Sequence, residues 1–192
     1  SFEWPVADSS LATPAGRLRM SKRKLKTVAI ATETRAEYGL LRSIYRALDR
    51  QAGLRPVFIA SGQHHLRRFG RTIEQVRADN VRLREIRTYR AEDASRDGIA
   101  RDVGRSVSRY AAALTDADWL IVLGDRLEML AAATAATALG LAVGHIHGGD
   151  IAPGVHDDAV RHAITKLAHL HFPATNDAAE RIRKMGEPAW RI

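Results

Sequence analysis

Side chains able to do acid–base chemistry stand directly after one apolar run of the sequence. Asp125 and Arg126 follow the run Trp119–Leu123, with Gly124 in between. A glycine at such a point lets the backbone approach a ligand closely. An aspartate there can exchange a proton with a substrate or bind a sugar hydroxyl, and the alternative is that it only caps the next helix.

A second candidate is the segment 145–150, which reads HIHGGD. Strand alternation would place His145 and His147 on one face, and the two glycines that follow let the chain turn. Imidazole can take up and release protons near neutral pH. His147, Asp150 and Asp157 could also bind a metal ion, but their spacing matches none of the specific zinc patterns, so we predict no metal.

A third candidate is the segment 32–39, which reads TETRAEYG and follows the first apolar run. Arg35 stands just before a predicted helix, where a guanidinium and the helix amides can bind the same phosphate. Pairing of Arg35 with Glu33 or Glu37 on a solvated loop is the alternative that the residues leave open.

Two glycine-rich nucleotide-binding signatures are missing from the sequence. No G-x-G-x-x-G follows the first apolar run, and no G-x-x-x-x-G-K-[ST] occurs. These patterns bind the phosphates of dinucleotides and of nucleoside triphosphates, respectively. A nicotinamide enzyme and a P-loop NTPase are therefore disfavoured, and we predict no cofactor.

A fourth candidate combines two acids with two basic residues one helical turn later. Asp157 and Asp158 precede Arg161 and His162. Carboxylates stabilise the start of a helix, so this charged cluster could serve only as a cap.

The elements that position these candidates alternate between strands and helices. Apolar, β-branched runs predict strands, and apolar residues at helical spacing predict helices between them. Strands are predicted at 27–31, 56–60, 81–86, 119–123, 142–147 and 170–173, and helices at 40–51, 72–78, 99–114, 127–139, 158–168 and 178–185. The alternation predicts an α/β fold with a doubly wound, Rossmann-like parallel sheet, whose ligands bind at the carboxyl ends of the strands.

The composition narrows the function classes. The 192 residues carry a net charge of +8, and residues 1–26 hold six basic against two acidic side chains, so we predict a disordered basic leader at 1–25 before one domain at 26–192. The other basic residues are scattered among acids, which disfavours nucleic-acid binding. No apolar run reaches the roughly 20 residues of a membrane span. The absence of cysteine suits a soluble cytoplasmic protein.

Two longer strings identify a family. GDRLEMLAAATAATALGLAVGHIHGGD at 124–150 and DDAVRHAITKLAHLHFPAT at 157–175 closely resemble the UDP-N-acetylglucosamine 2-epimerase family, particularly its hydrolysing members from sialic acid and related nonulosonate pathways. TRAEYGLL and SGQHH resemble the first two ligand loops of the same family. The resemblance runs from about Lys26 to the end of the chain.

This resemblance implies a fold and an assembly. The family has the GT-B architecture, two Rossmann-like domains with the substrate between them, and this chain corresponds to the N-terminal half. A C-terminal nucleotide-binding domain, which supplies most of the uridine contacts, is not among these 192 residues. The resemblance further implies a UDP-sugar substrate and a homodimer.

The resemblance also implies a reaction: removal of the sugar C2 proton, loss of UDP from C1 and addition of water, which yields N-acetylmannosamine and UDP. Asp125 and Asp157 match acids of the family motifs, and with His147 they are the predicted catalytic residues. Arg35 matches the arginine expected at the diphosphate. The predicted substrate-binding residues are Arg35, Glu37, His64, Arg126, Gly148, Gly149, Asp150, Asp158, Arg161 and His162.

Two departures from the family pattern keep other substrates open. His147 replaces a glutamate found in many members, and imidazole cannot supply a permanent negative charge. The loop that leads to Asp157 is one residue longer. A UDP-linked diacetamido-trideoxyhexose is therefore an alternative substrate. A GT-B glycosyltransferase and an isolated, inactive binding domain are the alternative functions.

Overall fold

The computed structural model describes residues 25–89, 95–151 and 157–192, with the side chain of Asp157 left out. The predicted leader lies outside these residues except for Leu25. The strands are β1 (Lys26–Thr32), β2 (Leu54–Ala60), β3 (Leu83–Glu85), β4 (Trp119–Leu123), β5 (Ala142–Ile146) and β6 (Leu170–Phe172). The α-helices are α1 (Arg35–Asp49), α2 (Ile73–Ala78), α3 (Arg96–Ala113), α4 (Leu127–Ala138), α5 (Asp157–Leu167) and α6 (Asn176–Lys184). Short 3-10 turns lie at Gly62–His65, Arg67–Phe69 and Ala189–Arg191.

The strands form one parallel sheet in the order β3-β2-β1-β4-β5-β6. The order reverses between β1 and β4, so the loops that leave these two strands diverge and open a crevice at their carboxyl ends. The predicted doubly wound, Rossmann-like parallel sheet is confirmed. The candidate segments after β1, β4 and β5 all meet at this edge.

Helices cover the sheet on both faces. On one face, Tyr38 and Tyr45 of α1 pack on Phe58, whose ring stacks on Tyr45 at 5.0 Å. On the other face, α4 lies against the sheet between α3 and α5. Every alanine of α4 except the terminal Ala138 is almost completely buried, which explains a helix that is apolar nearly all round.

The buried face of α3 differs from the one that periodicity predicts. Ile99 is 42% exposed, whereas Gly98, Asp102 and Ser106 are buried in line with Tyr110. The buried line ends at Tyr110, whose hydroxyl lies 2.8 Å from the Ser61 hydroxyl after β2, and Ile99 lies off this line. The helical spacing of Ile99, Val103 and Val107 predicts that all three lie on the buried face, and this prediction is wrong for Ile99.

Helix α1 begins five residues before the predicted start. Thr34 and Glu37 form a capping box, in which the Thr34 hydroxyl accepts from the Glu37 amide and the Glu37 carboxylate accepts from the Thr34 amide. Arg35 is therefore the first residue of the helix. Among the described residues, no helix is both long and apolar enough to cross a membrane.

Candidate functional site

Two polar clusters meet at the carboxyl edge of the sheet, and the loop after β4 supplies one residue to each. We call Asp125, His147, Asp150 and Arg161 the histidine cluster. We call Glu33, Glu37, Tyr89, Arg126 and Glu128 the glutamate cluster. Asp125 and Arg126 are adjacent in sequence, yet their side chains belong to different clusters.

Arg161 organises the histidine cluster from the first turns of α5. Its side chain is only 9% exposed, and its guanidinium donates to the Asp125 carboxylate. The Nη1 atom donates to the carbonyl oxygen of His147 at 3.2 Å and lies 3.8 Å from Oδ2 of Asp150. One buried cation thus faces two carboxylates and fixes the backbone that carries the imidazole.

His147 leaves the strand geometry. Strand β5 ends at Ile146, and His147 has a φ of 60°, which is in the left-handed region. The predicted strand alternation therefore does not reach His147, and His145 alone points into the core. The His147 ring points toward Asp150, with 2.8 Å between Nδ1 and Oδ2.

The two glycines that follow His147 are buried and tightly packed. A Cβ at Gly148 would lie 2.8 Å from Nδ1 of His145, and one at Gly149 would lie 2.4 Å from the carbonyl oxygen of Ala178. Arg181 donates to the carbonyl oxygen of Gly149. The turn that presents His147 and Asp150 is therefore held by its packing.

His145 supports the same edge from below. It is fully buried, and its Nε2 donates to the carbonyl oxygen of Gly124 at 2.7 Å. Burial lowers the pKa of His145 to about 4. The ring is therefore neutral at pH 7 and ties β5 to the loop that carries Asp125.

The glutamate cluster was not expected as a unit. Glu33 is fully buried, and its Oε2 lies 2.5 Å from Nε of Arg126. Tyr89 donates to Oε1 of Glu33 at 2.8 Å and also contacts the carboxylate of Glu128. Glu37 lies 3.8 Å from Arg126. One guanidinium therefore faces three carboxyl groups.

The excess of carboxyl groups over guanidinium groups in this cluster changes the ionisation of Glu33. Burial raises its pKa to about 8, the nearby Glu128 adds to the effect, and Arg126 opposes it. Burial also raises the pKa of Glu37. At pH 7 the Glu33 carboxyl therefore holds a proton, which relieves the repulsion with Glu128.

Two of the predicted substrate-binding side chains, Arg126 and Glu37, have partners in the glutamate cluster or in the capping box of α1. Arg126 pairs with Glu33, and the Glu37 carboxylate accepts from the amides of Glu33 and Thr34. Sequence reasoning missed Glu33, Tyr89 and Glu128 as site neighbours. The signal available for Glu33 was its place directly after β1, at the point where the strand order reverses.

Arg35 is exposed at the start of α1. Among the described residues it pairs with neither Glu33 nor Glu37, which are occupied as above. Arg35 lines a cavity of about 440 Å³ together with Gln63 and Arg71. An exposed guanidinium at a helix N-terminus can bind a phosphate group.

His64 lies beneath the cavity wall and is fully buried. Its Nε2 is 3.1 Å from the Thr32 hydroxyl and its Nδ1 is 2.8 Å from the Thr72 hydroxyl. Burial lowers its pKa to about 4. The ring is neutral and has partners on both nitrogens, so it braces the loop after β2.

The remaining predicted residues lie on α5. Asp157 starts the helix, and its side chain is outside the described residues. Asp158 and His162 are half-buried on the same first turns. In the part of the chain that the structure describes, no three His, Asp or Glu side chains converge as a metal-binding group.

Comparisons with known sequences agree on one family. A family model described as UDP-N-acetylglucosamine 2-epimerase matches residues 46–192. A hydrolysing UDP-N,N'-diacetylbacillosamine 2-epimerase of Legionella pneumophila is 34% identical over 165 residues, which are 85% of this chain and 44% of that protein. A hydrolysing GDP/UDP-N,N'-diacetylbacillosamine 2-epimerase of Campylobacter jejuni is 31% identical over 90% of this chain and 44% of its own length. The chain thus spans less than half the length of these curated relatives.

Comparison with solved structures supports the fold. The crystal structure of a UDP-GlcNAc 2-epimerase from Neisseria meningitidis, bound to UDP-GlcNAc, matches with a TM-score of 0.73 at 19% identity. The match covers 87% of this chain and 44% of that one. This coverage agrees with the prediction that the chain is the N-terminal half of a GT-B architecture.

Proposed function

This chain belongs to the UDP-N-acetylglucosamine 2-epimerase family, and on that premise we propose that the protein is a hydrolysing 2-epimerase of a UDP-linked 2-acetamido sugar. UDP-N-acetylglucosamine is the first candidate substrate. The observation that carries the proposal is the histidine cluster, which brings Asp125 and His147 to one guanidinium at the carboxyl edge of β4 and β5. Ligands of doubly wound sheets bind at this edge.

The proposed reaction has two steps that balance. A base removes the proton from C2, the C1–O bond breaks with its electron pair going to UDP, and a 2-acetamidoglycal forms. Water then adds across the double bond, with a proton entering C2 from the other face and hydroxide joining C1. The net reaction converts UDP-N-acetylglucosamine and water into UDP and N-acetylmannosamine.

The cluster contains groups suited to both steps. An imidazole such as that of His147 can accept a proton from a substrate and return it. Asp125 and Asp157 would stabilise the positive charge that develops at C1 as UDP leaves. Arg161 reduces the negative charge that Asp125 can direct at C1, because its guanidinium pairs with the Asp125 carboxylate.

The diphosphate is assigned to Arg35. Its guanidinium is exposed at the first turn of α1 and lines the cavity of about 440 Å³. A guanidinium binds phosphate oxygens in a forked geometry, and the positive end of the helix dipole adds to the attraction. The uridine would be held mainly by the C-terminal domain that the resemblance implies.

A second candidate substrate is a UDP-linked 2,4-diacetamido-2,4,6-trideoxyhexose. The two relatives described above are named as diacetylbacillosamine 2-epimerases, at 34% and 31% identity. The exchange of the family glutamate for His147 supports the same alternative, because it alters the charge beside the sugar.

The test is turnover by the full-length protein in D2O. With UDP-N-acetylglucosamine or the diacetamido analogue, we expect release of UDP and a free 2-epimerised sugar that carries one deuterium at C2. The Asp125→Asn variant should lose this activity, and Asp97→Asn, an exposed change on α3, should keep it. Simple hydrolysis without C2 exchange, or no release from either substrate, would refute the proposal.

The same assay separates the other functions. A GT-B glycosyltransferase would require an acceptor and would keep the sugar bound to it. The 192-residue chain alone is expected to give no turnover without the second domain. Through the resemblance, we extend the proposal to a cytoplasmic homodimer that serves sialic-acid-type synthesis.

A further inference from the structure

We propose that Asp150 is a positioning residue that holds His147 in one tautomer, so that the pair acts as a histidine–aspartate dyad in place of a catalytic glutamate. This inference rests on the proposed function and changes the role of Asp150, which the sequence assigned to substrate binding. The geometry that points to it is the 2.8 Å contact between Nδ1 of His147 and Oδ2 of Asp150.

The donor in that contact is determined by chemistry. An ionised carboxylate can only accept a hydrogen bond, so Nδ1 of His147 carries the hydrogen. In the neutral ring Nε2 is then the unprotonated nitrogen, which is the form needed in a general base. Nε2 makes no hydrogen bond to any described residue, and the His147 side chain is 40% exposed. Within the described part of the chain, the basic nitrogen of the dyad is therefore not bound by another group.

Asp150 is held in place for this task. The glycines at 148 and 149 pack too closely for any side chain, which fixes the turn between His147 and Asp150. Arg161 holds the turn through the carbonyl oxygen of His147, with its Nη1 at 3.8 Å from the Asp150 carboxylate. The positive charge of Arg161 therefore lies beside the carboxylate that orients the imidazole.

The same guanidinium links the dyad to Asp125. Arg161 donates to Asp125 through Nη2 and reaches the dyad through Nη1. Removal of a proton by His147 would leave an imidazolium, which Asp150 stabilises, while Asp125 stays paired with Arg161. The arrangement therefore separates the proton-transfer group from the carboxylate that faces C1.

The deciding experiment is the tautomer of His147 in full-length protein labelled with ¹⁵N-histidine, assigned by loss of its signals in His147→Gln. We expect the Nδ1–H form in the wild type. In Asp150→Asn the amide can donate to Nδ1, so the ring should shift to the Nε2–H form. The kcat for UDP-sugar turnover should then fall by roughly 10²–10³-fold with little change in KM, because Nε2 already carries a hydrogen and cannot accept the C2 proton. Asp150→Glu should restore part of the kcat.

The controls make each outcome decisive. Asp97→Asn makes the same chemical change on the exposed face of α3 and should alter neither the tautomer nor kcat. An unchanged tautomer in Asp150→Asn would overturn the dyad, as would a shifted tautomer with wild-type kcat. If the wild type turns over no UDP-sugar, the proposed function fails, and the tautomer measurement still decides whether Asp150 positions His147.

Discussion

The two clusters at the carboxyl edge of the sheet are each built around one guanidinium and differ in their titratable groups and in burial. In the histidine cluster, Arg161 and a titratable imidazole face two carboxylates, and His147 is 40% exposed. In the glutamate cluster, one guanidinium faces three carboxyl groups, and Glu33 is fully buried. The histidine cluster, with its partly exposed imidazole, is suited to proton transfer. The buried, carboxyl-rich one is suited to holding Arg126 and the loops around it.

The largest effect that would test this comparison is expected at Arg161. In Arg161→Gln, the Asp125 and Asp150 carboxylates lose a nearly buried cation, and we expect the free energy of unfolding to fall by about 3 kcal/mol. Urea unfolding measures the loss. Arg183→Gln removes an exposed pair with Glu180 and should cost less than about 0.5 kcal/mol. Equal losses in the two variants would show that Arg161 does not balance buried charge.

The glutamate cluster predicts an unusual dependence of stability on pH. The pKa of Glu33 is raised from 4.5 in the unfolded chain to about 8 in the fold. The folded state therefore binds more protons at Glu33 between these values, so the contribution of Glu33 to stability is full below pH 4.5 and is lost as the pH rises through about 8. Glu33→Gln keeps the shape without the charge, so it should stabilise the fold by about 2 kcal/mol at pH 9 and have little effect at pH 5.

Thermal unfolding across that pH range measures the effect. Glu180→Gln, on the exposed face of α6, should leave the pH profile unchanged. A profile for Glu33→Gln that parallels the wild type would mean that Glu33 is ionised in the fold at neutral pH, and the contrast between the two clusters would be lost.

The smallest predicted effect concerns Arg35, which lies outside both clusters. Arg35→Gln should raise KM for the UDP-sugar about 10-fold with kcat and stability nearly unchanged, because one charge-assisted contact to the diphosphate is lost. Steady-state kinetics on the full-length protein measure it. Arg46→Gln, an exposed change on the same helix, serves as the matched control. A change in kcat alone would place Arg35 near the reacting carbons instead.

Much of the fold was predictable from local patterns. The strand Trp119–Leu123 was predicted with its observed bounds, because a fully apolar run between polar turns suits a strand covered on both faces. The buried face of α3 was not, because it depends on the contact of Tyr110 with Ser61, 49 residues away, which the apolar periodicity at Ile99 does not show.

The candidate site was also predictable from the sequence only in part. Asp125 and His147 could be singled out because residue type, glycines and strand ends all mark them locally. The contacts of Glu33 with Tyr89 and Arg126 join positions 56 and 93 residues apart. Such contacts depend on the strand order β2-β1-β4, which local patterns do not specify. The roles of the predicted site residues stay predictions until turnover is measured.

Gly62 shows how such a contact constrains change in the sequence. It has a φ of 52°, and a Cβ there would lie 2.1 Å from Cγ of Glu33. A substitution at position 62 is therefore blocked for as long as a long side chain occupies position 33. The two positions, 29 residues apart in the sequence, are expected to vary together among homologues, and an engineered exchange must shorten residue 33 before it enlarges residue 62.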